Sequence, residues 1–167
     1  MSGMECGAVV SGAIAMSEAQ RTAFWRLREE QPEGQRLEGA QMKFDIAVPP
    51  GRIVEFIERG AGLCAQRVPG VRINPFGHLG DGNVHFNLSP PEGLREFRAV
   101  PPELGVELAG LATDLGGTFA AEHGLGRSKI ALADRCRDAA ERALGRAIKR
   151  AVDPAGLMNP NVIFRAD

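Results

Sequence analysis

All three histidines of this chain lie in two glycine-bracketed segments. The first, Gly77-His78-Leu79-Gly80-Asp81-Gly82-Asn83-Val84-His85-Phe86-Asn87, sets two imidazoles seven residues apart on either side of a tight turn. Glycine at 77, 80 and 82 removes side chains where the backbone must bend or a ligand must approach. Asp81 is suited either to accept from turn amides or to orient a ligand histidine. The second segment is Ala121-Glu122-His123-Gly124-Leu125-Gly126. Together the two supply His, His and Glu, a three-ligand set used by catalytic zinc with one position left for substrate or water. The competing reading is a pair of structured turns whose imidazoles satisfy only backbone groups. Spacing alone leaves both open.

The elements that must position these residues follow from periodicity and punctuation. Residues 6–15 are small and apolar and read as a strand, and Ser17 as the N-cap of a helix to about Glu30 carrying Ala19, Ala23, Leu27 and the Phe24–Trp25 pair. Pro32 and Gly34 should end it, with a polar loop over 33–40. Phe44, Ile46 and Val48 alternate as in a strand stopped at Pro49–Pro50. Ile53, Phe56, Ile57, Ala61 and Cys64 mark one stripe of a helix from Arg52 to about Arg67. Strands over 71–76 and 83–88 should pair antiparallel, so that His78 and His85 flank the turn. After a Pro-rich link, Leu104, Leu108, Leu111 and Leu115 predict a helix ending at Gly116–Gly117. One last helix, to about Asp153, should turn Cys136, Ala140, Ala143, Leu144, Ala147 and Ile148 inward. This order predicts one α+β domain, helices packed on a mostly antiparallel sheet.

Composition narrows the function classes. A net charge of -1, with acidic and basic residues interspersed, gives no case for a nucleic-acid partner or an anionic membrane surface. No apolar stretch approaches the roughly 20 residues of a membrane span. No basic segment leads into residues 6–16, so a buried strand is a plainer reading than a signal peptide. Three widely spaced cysteines, Cys6, Cys64 and Cys136, form no CxxC pair or zinc ribbon. Buried thiols fit a reducing compartment, and a cytoplasmic protein is expected.

GHLGDGNVHFN, followed after 34 residues by EHGLG and then by VDPAGLMNPNVIF, resembles the C-terminal, substrate- and metal-binding domain of the FAD-linked oxidase family. WRLREEQPEGQRLEGAQMKFDIAVPP is similar to that family's substrate-domain segment, so the resemblance covers essentially the whole chain. It implies a ferredoxin-like α+β fold and FAD-dependent oxidation of a 2-hydroxy acid. Matched by position, it implies that His78, His85 and Glu122 hold a divalent metal, zinc first. His123 becomes the base, Arg28, Lys43 and Asn87 bind substrate, and Asn159 lies in a tail that approaches the flavin. Two departures stand out. Pro32 occupies a position where many members carry Ser or Thr able to touch a distal carboxylate, and the tail lacks a glycine after Asn159-Pro160.

The glycines around His78 are not a GxGxxG phosphate loop, and nothing resembles the family's N-terminal FAD-binding domain. The chain is therefore expected to be a partial flavoenzyme, inactive alone. It would need an FAD-binding domain or subunit, hand electrons to an unspecified acceptor, and self-associate, as a homodimer for instance, through an exposed apolar face. A metal-dependent hydrolase and a non-catalytic, metal-stabilised remnant are the alternatives.

Overall fold

The structure, a computed structural model, describes residues 3–165 and divides the chain into two compact units, Met1–Glu38 and Gly39–Asp167.

In the first unit, residues 6–15 form no strand and are almost entirely exposed. Their small Gly and Ala side chains give a strand little to pack. Helix α1 (Glu18–Glu29) opens as expected at Ser17, whose hydroxyl accepts from the Gln20 N–H at 3.2 Å. The loop expected over 33–40 is instead mostly helix α2 (Gln31–Leu37). Pro32 sits in its first turn, where a missing N–H costs nothing because that group would have no helical partner.

The second unit is built on a three-stranded antiparallel sheet. Strands β1 (Met42–Ala47), β2 (Arg72–His78) and β3 (Asn83–Ser89) take the order β1-β3-β2, with β3 central. The register pairs Phe44 with Phe86 and Asp45 with His85 on one edge, and Phe76 with His85 and His78 with Asn83 on the other. Because side chains alternate, this register gives the sheet two unlike faces. Met42, Phe44, Ile46, Val84, Phe86, Leu88 and Ile73 lie on the apolar face. Lys43, Asp45, Asn83, His85, Asn87, Asn74 and His78 lie on the polar one.

Helices α3 (Ile53–Arg67) and α4 (Leu104–Asp114) cover the apolar face. Phe56 meets Phe86 edge-on at 5.4 Å between centroids, and Leu104, Leu108 and Cys64 are fully buried beside them. Gly60 admits the Phe86 ring, since a Cβ there would lie 3.1 Å from it. After α4, residues 117–118 return along the free edge of β1, but pairing is confined to one bridge between Ala47 and Thr118.

The last predicted helix is two. Helix α5 (Ile130–Cys136) stops at Arg137, and α6 (Ala139–Val152) starts afresh behind Asp138. The Asp138 carboxylate accepts from the N–H groups of Ala140 and Glu141 at 2.8 and 3.1 Å, so capping wins over continuation. The inward face of α6 is also inverted. Leu144 and Ile148 are 63% and 56% exposed, whereas Arg142 is buried. Its guanidinium donates through Nε and Nη2 to Asp134 and through Nη2 to the Ile163 carbonyl, and stacks over Phe164 at 4.4 Å, which offsets the burial of its charge. Gly145 leaves room for the same ring.

Candidate active site

The β2–β3 hairpin and the loop after the Thr118 bridge bring four of the sequence-predicted residues together. His78 ends β2 and His85 lies in β3, as the hairpin expectation required. Gly82 adopts φ +78°, and its carbonyl accepts from the Val48 N–H at 3.1 Å, which ties the turn to the end of β1. The Asp81 carboxylate accepts from the Asn83 N–H at 3.1 Å, so of its two expected roles it takes the turn-stabilising one. Glu122 reaches toward the hairpin from the second segment. Its Oε1 lies 3.5 Å from His78 Nδ1 and its Oε2 3.9 Å from His85 Nε2. The His85 and His123 rings stack, 24° from parallel with centroids 5.6 Å apart. His85 is largely covered, whereas His78 and His123 are open to solvent.

A residue absent from the sequence reading lies behind this cluster. Asp45 is 4% exposed, and its Oδ2 accepts from the backbone N–H groups of both Glu122 and His123 at 2.9 Å. Its Oδ1 accepts from Asn83 Nδ2 at 3.1 Å. Burial pushes the Asp45 carboxyl up, but those three donors and the nearby His123 imidazole outweigh it and hold the group below the ordinary carboxylate value. Lys129 donates to the Phe119 carbonyl at 3.1 Å. Burial pushes that ammonium down, and the Asp45 charge partly restores it. The sequence signal for Asp45 was present: it is a charge at the centre of the alternating Phe44–Ile46 strand.

The remaining predicted residues are dispersed. Lys43 pairs with Asn87 across β1 and β3, on the same face as Asp45 and His85. Asn87 is buried and Lys43 exposed. Arg28 lies on α1 of the first unit. Asn159 stands in the tail at φ +49° and lines a cavity of about 580 Å³ with Arg146, Lys149 and Phe164; none of the histidines lines it.

The donor chemistry can be tested against a metal ion. Ligands about 2.1 Å from a tetrahedral ion stand roughly 3.4 Å apart, so both Glu122–imidazole pairs have the type and approximate spacing of ligand pairs. Among the described residues, however, no group of three or more His, Cys, Asp or Glu closes around one ion position. The tail cavity is also lined by Arg150, Arg165 and Asp153, so cations outnumber anions in its lining.

Residues 2–163 match the family described as FAD linked oxidases, C-terminal domain. The chain belongs to this family. Among curated relatives of this FAD-linked oxidase domain, it is 32% identical over 165 residues to a D-2-hydroxyglutarate dehydrogenase of Stutzerimonas stutzeri, covering 98% of this chain and 35% of that protein. It is 34% identical over 163 residues to one of Xanthomonas citri, covering 96% and 34% respectively. A mitochondrial D-2-hydroxyglutarate dehydrogenase of Arabidopsis thaliana is 31% identical over 157 residues, 94% of this chain and 27% of that protein. The chain thus spans about a third of the length of the relatives it matches. The Arabidopsis protein and three further relatives are named as mitochondrial, which overturns the cytoplasmic expectation. Three separated cysteines were too weak a signal to specify a compartment.

Proposed function

We propose that this chain is the substrate- and metal-binding part of a flavoprotein that oxidises a D-2-hydroxy acid to the 2-oxo acid. The observation that carries the reading is the convergence of His78, His85, Glu122 and His123 on the polar face of the sheet, in a chain of the FAD-linked oxidase family. Lys43 and Asn87 on the same face provide a cation and a buried amide for the substrate carboxylate and hydroxyl. Arg28 is assigned to the carboxylate by family resemblance, and Asn159 to the edge of the flavin.

His78, His85 and Glu122 would hold a divalent ion, zinc first, which as a Lewis acid would make the substrate hydroxyl easier to deprotonate. His123, stacked on His85 and open on its outer side, takes that proton. Lys43 holds the carboxylate while the proton moves, so the Cα–H bond keeps one orientation. The flavin, when bound by an FAD-binding domain or subunit, supplies the hydride acceptor. Alone, the chain binds metal and turns nothing over. We also read the sheet as a ferredoxin-like unit whose fourth strand is reduced to the Thr118 bridge.

The test is anaerobic mixing of the complete flavoprotein with D-2-hydroxyglutarate or D-lactate. The reading expects flavin bleaching and stoichiometric 2-oxo acid, abolished by Glu122→Gln together with loss of bound metal. A flavin that stays oxidised while a substrate is hydrolysed would reject it in favour of metal-dependent hydrolysis.

A further inference from the structure

One carboxylate touches nearly every part of the cluster without belonging to it. Asp45 Oδ2, besides accepting from the Glu122 and His123 amides, lies 3.6 Å from His123 Nδ1. Asp45 Oδ1 lies 4.0 Å from His85 Nδ1. The same edge of both imidazoles therefore faces one buried charge, in keeping with their stacking. The opposite nitrogen of His85, Nε2, lies 3.9 Å from Glu122, so carboxylates flank both sides of that ring, whereas His123 has Asp45 on its Nδ1 side. Asn83 is held to this arrangement at a cost. Its amide donates to Asp45 while its Oδ1 is buried without a donor among the described residues. Turning the amide over would set oxygen against carboxylate.

A neutral imidazole carries one N–H, and a carboxylate on one side stabilises the tautomer with the proton on that side. Lys129, a partly buried charge nearby, carries only donors and cannot make this choice.

We propose that Asp45 is the positioning residue of this site: it holds His123 in the Nδ1–H tautomer, so that its Nε2 lone pair faces outward, and clamps the Glu122–His123 backbone against β1. The tautomer assignment stands on geometry alone. Its consequence for turnover rests on the function proposed above.

Two-dimensional ¹H–¹⁵N spectra of the histidine rings, recorded at about pH 9, well above the ordinary imidazole range, report the tautomers directly. In the wild-type chain His123 should be Nδ1–H. In Asp45→Asn it should shift toward Nε2–H, with His78, whose Nδ1 faces Glu122, as the internal comparison. Finding His123 as Nε2–H in the wild type overturns the proposal without any variant. So does an unchanged tautomer in a well-folded Asp45→Asn protein, because a backbone clamp alone would not move it. In the complete flavoprotein, Asp45→Asn should lower kcat about 10- to 100-fold with KM little changed. Tautomers that follow the carboxylate in a protein that oxidises no hydroxy acid would uphold the role of Asp45 and reject the flavoenzyme reading.

Discussion

At the scale of single residues, the histidines separate by environment. His85 is largely covered, between Phe76, Asp45 and Glu122, and has little room to move. His123 is solvent-facing, with a backbone pinned by Asp45. The covered ring is the better-fixed ligand and a base that must meet substrate needs the open side; His78, also open, is assigned to the metal by its approach to Glu122. His123→Asn in the complete flavoprotein should therefore lower kcat by roughly 10²- to 10⁴-fold. Metal content should stay at the wild-type level, as measured by steady-state kinetics alongside elemental analysis. Loss of metal in this variant would instead make His123 a ligand.

At the scale of elements, the hairpin turn determines where His78 stands. Gly82 is in the left-handed region, and a Cβ there would fall 1.9 Å from the Val48 carbonyl. No rotation of a side chain relieves that contact, because both partners are backbone. Gly82→Ala should cost roughly 1–3 kcal/mol in chemical denaturation. It should also separate the turn from β1, read as faster amide exchange at Val48, whose N–H donates to the Gly82 carbonyl. The tail is positioned in a comparable way. Ile163, at φ +69°, donates its N–H to the Gly126 carbonyl, and Asp153 accepts from the Leu157 and Met158 amides. The path that carries Asn159 is thus tied both to α6 and to the loop that follows His123.

At the scale of the whole folded unit, the sheet separates a greasy face from a chemical one, and α3 and α4 seal the former. Cys64 is fully buried in that seal. Burial, aided by the Glu107 charge, pushes its thiol up to about 11 from an ordinary 9.0. The folded state therefore keeps the proton after the unfolded chain has lost it. Stability should be at full value below about pH 9 and fall as pH rises from there toward about 11, by about 2 kcal/mol. Urea unfolding at a series of alkaline pH values should show this slope, and Cys64→Ala should flatten it. Exposed Cys6 should react with alkylating reagents in the native state while Cys64 does not.

Alternation and turn chemistry were enough to read β1, α3, the β2–β3 hairpin and α4 from the sequence, because each obeys a local rule: period two, period 3.6, or glycine where φ turns positive. Local rules also put His78 and His85 at one turn. They failed where long-range partners decided the outcome. The apolar stripe of α6 lost the interior to Arg142, because Asp134, the Ile163 carbonyl and the Phe164 ring, from two other segments, answer its charge. Residues 6–15 had strand-like apolarity but too little side chain to pack, and Pro32 could begin a helix as readily as end one. The residue types of the site were therefore determined by the sequence. That Glu122 would reach both hairpin histidines, and that Asp45 would stand behind two imidazoles, was decided only by the β1–β3 register and the return of the chain past Ala47. Those contacts join residues 37 to 78 positions apart, a distance over which no periodic pattern carries information.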